Sequence, residues 1–414
     1  MLAMKIRVLL SMAAILAFVT GALYVWHFPL TFYPDSASYI VPASNIVAGH
    51  GFTGPDGSPE VYRTPGYPLF LAFFFAAHAG VTGAIWFQHV LRILLIVGST
   101  AFAFSISQSR AVAGLTGLLL VIDLPLLEAA HAVLSEMLFT ALIAIVYWLL
   151  WREALREPSG KWIFFAGALT GTTVLIRPVS LFFCVPAIAF MSMAMPRRRP
   201  RAAILFTIGF ALLPALWACR NYRVAGAFTV STVSAYDALI YRAAGSVAMD
   251  RPGSYWENLE PARTQICSDL RRLYSLECSP AALTTGGDYF KRLAMQEIEQ
   301  HPSGFLKATA LGACMVVLDE GTITTSALLG RPVRKREFLI YTVPLFIFSI
   351  YGLAVCWRKN RTFFWLALWV IVYFVGVSAG PQSESRFRVP FVPLYVLLSA
   401  IGMSNLAAQM KLKK

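Results

Sequence analysis

The stretch VLLSMAAILAFVTGALYVW (8–26), running directly into HFPLTFYPDSASY (27–39), decides the fold. Its apolar part is close to the roughly 20 residues needed to cross a bilayer. In lipid a backbone must satisfy its own hydrogen bonds, so such a run is a helix. Lys5 and Arg7 precede it, which places that end on the cytoplasmic side. The run is long for a signal peptide and has no convincing small-residue cleavage site, so it reads as a retained first helix. Asp35 then emerges on the opposite, outer side, on a loop held at the membrane.

The rest of the chain has the same character. Of 414 residues, 57% are hydrophobic and only 14% charged, against about 25% charged in an ordinary soluble domain. Mean hydropathy is +0.64 and the pI about 9.7. A net charge of +14 would suggest nucleic acid in a soluble protein. Here the lysines and arginines sit in short clusters between apolar runs, the pattern of cytoplasmic loops, and no nucleic-acid motif is present. The expected surroundings are membrane lipids.

Further spans are expected at roughly 84–106, 111–127, 134–151, 162–177, 179–195, 202–219, 338–357, 362–379 and 389–408. With the first helix that makes about ten. Arg110, the group Arg152, Arg156 and Lys161, the group Arg197, Arg198, Arg199 and Arg201, the group Arg358, Lys359 and Arg361, and Lys411, Lys413 and Lys414 fall at alternate junctions. That alternation puts both termini in the cytoplasm. Residues 36–48 and 66–79 read as short helices lying on the membrane within the first outer loop. The fold class is an all-α polytopic membrane protein. It divides into a transmembrane module over 1–219 with first outer loop 27–83, an extracytoplasmic section over 220–337 and a three-helix section over 338–414. Residues 305–318 read as a surface or re-entrant helix, because a crossing there would misplace the later basic clusters. Cys267 and Cys278 lie in the polar section and are free to pair if it faces an oxidising compartment. No zinc-type cysteine spacing occurs. No internal repeat is found, which weighs against an inverted-repeat transporter.

On this topology six segments deliver acids and arginines to one level of the membrane: PDSASY (34–39) with YRTPGYP (62–68), LEAAHAVLSE (127–136), LIRP (175–178), WACRNYR (217–223) and SESRFR (383–388). Charge at membrane depth is costly, so their convergence points to a functional site. Asp35 is the candidate base, able to take a proton from an acceptor hydroxyl or amine. Arg63, Arg177, Arg220 and Arg386 are candidates to hold a phosphate as leaving group. Tyr39, Tyr67, Glu136, Arg242 and Arg388 complete the candidates. Each has a plainer reading. Asp35 can cap the helix beginning at Ser36. Arg177 and Arg220 can snorkel to headgroups. Glu136 can be a helix-start acid, His131 structural, and Arg92 paired with an acid of another helix. Trp217, Tyr222, Tyr236 and Tyr241 fit an interfacial belt or a sugar platform.

An aspartate after the first span, then an aromatic, a Gly-rich stretch (HGFTGPDG, 50–57) and R-T-P-G-Y-P (63–68) opening an apolar helix resemble the GT-C glycosyltransferases. Within these they resemble the family 39 group of protein O-mannosyltransferases and lipid A aminoarabinose transferases. S-E-M-L-F (135–139), R-P (177–178), W-x-x-R-N (217–221) and R-F-R-V-P-F-V-P (386–393) are similar to segments of bacterial members. The resemblance implies a GT-C module of about seven spans with juxtamembrane helices in the first outer loop. It implies an inverting transferase using a polyprenyl-phosphate-linked sugar, with a lipid, glycan or protein acceptor on the outer face of a bacterial inner membrane. The family's loop acid falls on Asp35. Its frequent second acid does not carry over, because Ser36 stands next. Some members bind a divalent metal through an acid and a histidine; Glu60 and His131 are unaligned candidates, so a metal stays open. The alternative is a lipid or solute transporter, which predicts broken helices and polar residues at the membrane centre.

Overall fold

The computed structural model describes residues 2–156, 159–195, 199–319 and 335–412. Arg197, Arg198, Lys413, Lys414 and the end of the 220–337 section lie outside the described residues. The chain is a helical membrane bundle. Its helices are α1 (Leu2–His27), α2 (Ala37–Val47), α3 (Gly66–Ala76), α4 (Gly80–Ser107), α5 (Arg110–Val121), α6 (Leu124–His131), α7 (Glu136–Ala154), α8 (Gly160–Ile176), α9 (Cys184–Ala194) and α10 (Arg199–Ala225). Then come α11 (Val233–Asp237), a π-helical turn over Ala238–Ala243, α12 (Ala244–Asp250), α13 (Tyr255–Tyr274), α14 (Leu283–Gln300), α15 (Pro302–Leu318), α16 (Lys335–Lys359), α17 (Arg361–Ser378) and α18 (Val392–Leu412).

Among the described residues, seven helices are long and apolar enough to cross a membrane: Ile6–His27, Gly80–Ser107, Glu136–Ala154, Pro200–Ala225, Ile340–Lys359, Arg361–Ser378 and Ser385–Lys411. The remaining three of the ten expected spans take other forms. α8 and α9 are shorter apolar helices, and the span expected at 111–127 is broken, with α5 and α6 bent by 52°. The cause lies in the sequence Asp123-Leu-Pro125. The Asp123 carboxylate accepts the N–H of Leu126 at 2.9 Å as an N-cap, and Pro125 sits in the first turn of α6, where its missing N–H does no harm. A new helix therefore starts where the old one was expected to continue.

The described residues form two apolar cores. The larger joins the bundle helices. The smaller lies within 235–298, built on Leu239, Leu259, Ile266, Leu270 and Phe290, and Tyr62 of the first loop packs on it. Cys267 and Cys278 are bonded, with Cα atoms 5.3 Å apart, tying the end of α13 to the loop after it. α15 is an apolar helix of 17 residues, shorter than the spans. Its buried face is Gly304, Ala308, Gly312 and Val316. A Cβ on Gly312 would lie 2.3 Å from the backbone of Gly380, so only glycine permits that approach.

Candidate active site

The first loop is shaped by its own glycine. In R-T-P-G-Y-P, a Cβ on Gly66 would lie 2.6 Å from the carbonyl oxygen of Leu175. This close contact seats the start of α3 on the end of α8, beside Arg177. Tyr67 follows into the core, its hydroxyl donating to Gln88 Oε1 at 2.9 Å. Arg63 is thereby held facing α2. Its Nε donates to Ser38 Oγ at 2.8 Å, its Nη1 to the Tyr39 hydroxyl at 3.3 Å and its Nη2 to Asp35 Oδ1 at 2.6 Å. The guanidinium also lies 4.7 Å from the rings of both Tyr39 and Tyr62. Glu60 Oε1 accepts the backbone N–H groups of Tyr62 and Arg63, fixing the turn before it.

Asp35 does not cap α2: Ser36 is the N-cap, and no side chain makes a capping bond there. The carboxylate instead lies between two arginines from opposite ends of the chain. Arg63 binds one oxygen, and Arg386 Nη1 lies 3.6 Å from the other. Burial raises the affinity of this carboxyl for a proton, but Arg63, then Arg386 and more weakly Arg177, outweigh burial and hold it below the usual carboxylate range. The side chain keeps 38% of its exposure, so an ionised and reachable base remains.

Further charges surround this pair. Arg386 stands over the Tyr33 ring at 5.5 Å, and its Nε lies 3.3 Å from Glu384. The Tyr33 hydroxyl donates to Glu128; burial first, then the Glu128 charge, keep that phenol protonated. Arg177, at the end of α8, pairs with the buried Glu136 at the start of α7. It therefore does not snorkel.

No family model matches the sequence, and no curated protein does. The fold does have solved counterparts. Archaeal oligosaccharyltransferase AglB from Archaeoglobus fulgidus, solved with an inhibitory peptide and a dolichol-phosphate, overlays 99% of this chain and 51% of its own, with TM-score 0.53 and 14% identity. An oligosaccharyltransferase of the same organism, in complex with Zn and sulfate, overlays 97% of this chain and 49% of its own, with TM-score 0.52 and 14% identity. The chain has a GT-C fold. It spans about half the length of those oligosaccharyltransferases. ArnT from Cupriavidus metallidurans bound to undecaprenyl phosphate overlays 98% of this chain and 79% of its own, with TM-score 0.44 and 12% identity.

Within this GT-C fold, Arg63, Arg177 and Arg386 gather around Asp35 and Glu136, with Tyr39 beside them. The other candidates do not join them. The sequence makes Arg220 a candidate phosphate ligand or a snorkelling residue. Its Nη1 donates to the carbonyl of Glu60 at 2.6 Å and its Nη2 to that of Phe52 at 3.2 Å, so it anchors the Gly-rich turn. Trp217 supports it, 4.9 Å below the guanidinium. Arg242 donates to the carbonyls of Val377 and Ala379 at the end of α17. Arg388 is 1% exposed and donates to those of Val317 and Asp319, pinning the end of α15. Tyr67 is core. Arg92, expected to pair with an acid, donates to the carbonyls of Ala17 and Val121 and to Thr20; Asp123 is an electrostatic neighbour without a direct bond.

A metal does not fit the proposed pair. Glu60 accepts two backbone N–H groups, and His131 Nε2 lies 3.0 Å from the Pro29 carbonyl. Among the described residues no three of His, Cys, Asp and Glu converge as ligands. The sequence reading did not single out Asp237. It ends α11 beside the cluster, and burial, opposed by Arg63, pushes its carboxyl up to about 6. No spacing rule could have found it, since STVSAYDALIYR (231–242) has neither the charge pattern nor the length of a known motif.

Proposed function

We propose that this protein is an integral membrane glycosyltransferase. It moves a sugar from a polyprenyl-phosphate donor to a lipid, glycan or protein acceptor on the extracytoplasmic face, with inversion. The observation that carries this reading is the half-exposed Asp35 carboxylate held between Arg63 and Arg386 in a GT-C fold. The dolichol-phosphate in the AglB complex supports an isoprenoid phosphate as the donor's carrier. The family 39 resemblance supports a bacterial inner membrane, and the alternating basic clusters of the sequence support both termini in the cytoplasm.

In this mechanism the acceptor oxygen attacks the anomeric carbon while its proton passes to Asp35. The bond from that carbon to the phosphate oxygen breaks, and the polyprenyl phosphate leaves with the extra negative charge. Arg63 has Nε, Nη1 and Nη2 all engaged by the protein, so its role is to orient Asp35. Arg386 is the phosphate ligand, because its contacts with Asp35 and Glu384 are long, at 3.6 and 3.3 Å. Arg177 is the second phosphate ligand. A phosphate drawing Arg386 toward itself would also weaken that arginine's hold on Asp35. The carboxylate would then become more basic when the donor is in place.

The test compares lipid-linked sugars and outer-face glycans in cells carrying wild-type protein, Asp35→Asn at matched expression, and a deletion. Accumulation of one polyprenyl-phosphate sugar with loss of one glycan modification, in both the variant and the deletion, supports the transferase. Full rescue of the deletion by Asp35→Asn refutes the catalytic assignment.

A further inference from the structure

A line of three tyrosines leads away from the Asp35–Arg63 pair. Tyr62 and Tyr236 meet edge to face with ring centroids 6.1 Å apart, and Tyr236 and Tyr241 do the same at 6.3 Å. The line has a guanidinium at each end: Arg63 lies 4.7 Å from the Tyr62 ring, and Arg263 lies 5.0 Å from that of Tyr241. Arg263 is itself fixed, donating through Nε to the Ile240 carbonyl at 3.2 Å and pairing with Glu260. The π-helical turn over Ala238–Ala243 explains the spacing. A π turn brings residues about five apart onto one side, as Tyr236 and Tyr241 are, and such turns recur at functional sites.

These rings differ from the core tyrosines. Tyr67 and Tyr147 are buried with their hydroxyls bonded, to Gln88 and to the Pro390 carbonyl. Tyr62, Tyr236 and Tyr241 are half-buried, and among the described residues none of their hydroxyls has a hydrogen-bond partner or is shut off from solvent. Asp237, next to Tyr236, likewise makes no ion pair or side-chain hydrogen bond among the described residues, although it lies within electrostatic reach of Arg63, Asp35 and Arg242. An interfacial belt would place such rings on membrane-crossing helices. These lie on the first loop, α11 and the π turn, none of which belongs to a candidate span.

Rigid rings with unpaired hydroxyls offer apolar faces and hydrogen-bonding edges at little entropic cost. A carbohydrate has matching surfaces, namely C–H faces and hydroxyl rims. A lipid chain would leave the phenols and the carboxylate unpaired. We propose that Tyr62, Tyr236, Tyr241 and Asp237 form an acceptor subsite that takes a carbohydrate, laid along the tyrosine line with its reacting hydroxyl at Asp35. This inference rests on the transferase reading.

The experiment uses the full-length protein in detergent, with the Cys267–Cys278 bond intact as a check on folding. One measurement follows binding of undecaprenyl phosphate by native mass spectrometry. The other follows saturation-transfer NMR with two probes: oligosaccharides released by mild acid from the envelope of the source cells, and tryptic peptides of their envelope proteins. The expected result is transfer to the oligosaccharides, weakened roughly two- to tenfold by Tyr236→Ala or Tyr241→Ala. Tyr236→Phe should weaken it less, and undecaprenyl phosphate binding should be unchanged in all three. Equal saccharide binding in every variant, no saccharide binding, or transfer to the peptides alone would overturn the proposal. Failure of undecaprenyl phosphate to bind the wild type would instead count against the transferase reading itself.

Discussion

Two groups of buried charge occupy the bundle, and they engage different partners. At the loop end, Arg63 and Arg386 face carboxylates, and the one between them, Asp35, is 38% exposed. Deeper in the fold, Arg92 and Arg388 are 0% and 1% exposed. Their guanidiniums donate to backbone carbonyls: Ala17 and Val121 for Arg92, Val317 and Asp319 for Arg388. The carbonyls of Val121, Val317 and Asp319 lie at helix ends, where intrahelical partners are missing; that of Ala17 lies inside α1. An arginine that serves carbonyls is held in place by the backbone and repairs it. An arginine that faces a reachable carboxylate keeps a charge that a ligand can claim. The break at Asp123 thus needs no transport function to explain it, since Arg92 and the Asp123 cap satisfy its loose ends.

The sharpest way to test this division is Asp35→Asn, with the largest expected effect. Turnover per folded molecule should fall about 10²–10⁴-fold, the usual contribution of a positioned base, with insertion retained and only a modest drop in unfolding temperature from the lost ionic pairing with Arg63. Arg386→Ala should follow, with a loss of about 10²–10³-fold for one removed charge-stabilising donor. Donor titration should show weaker binding of the polyprenyl phosphate. If Arg386→Ala lowered stability and left turnover per folded molecule intact, the two arginine groups would not differ in kind.

The framework group should show the opposite signature. Arg92→Met would leave the Val121 carbonyl at the end of α5 without its Arg92 donor in an apolar setting, at about 1–3 kcal/mol for one unmet group. The expected result is a lower unfolding temperature and less folded protein, with turnover per folded molecule preserved. Arg220→Ala should act the same way but more mildly, since its carbonyl partners lie in a half-exposed turn where water can replace it. Limited proteolysis within 50–60 reads that loosening directly.

Sequence reasoning reached most of the helices because apolar length alone sets them. It also named most of the segments that meet at Asp35, because the basic loops imply which ends share a face, but it included 217–223, whose Arg220 anchors the Gly-rich turn instead. It could not separate the two arginine groups. Arg386 and Arg388 are two residues apart in R-F-R, yet the turn over Ser385–Phe391 sends one toward Asp35 and the other to the end of α15. Ser385–Phe391 is a short 3₁₀ helix, in which residues two apart point to different sides, and the sequence alone does not mark it as one. The span expected at 111–127 is bent for a local reason: hydropathy averages over Asp123 and Pro125, whereas the backbone responds to each of them. Asp237 was missed because its importance comes from burial beside Arg63, which only tertiary packing creates.

Asp237 offers the finest test, through pH. Its carboxyl is raised from an ordinary value near 3.8 to about 6, by burial first and against the pull of Arg63. The folded state therefore binds this proton more tightly than the unfolded state does. The stabilisation is fully present below about pH 3.8 and is lost as pH rises to about 6. Asp35 behaves in the opposite sense: its folded carboxyl is depressed, so the stability it adds is present above the ordinary carboxylate range and disappears as pH falls through the folded value. The Asp35 slope lies below the ordinary carboxylate value, so between pH 4 and 6 the Asp237 slope stands largely alone. Asp237→Asn should remove the falling component, so that the unfolding temperature declines less, or rises, across that window. An unchanged slope would mean that Asp237 is solvated like an ordinary surface acid. The electrostatic likeness between Asp237 and the Asp35 cluster would then be lost.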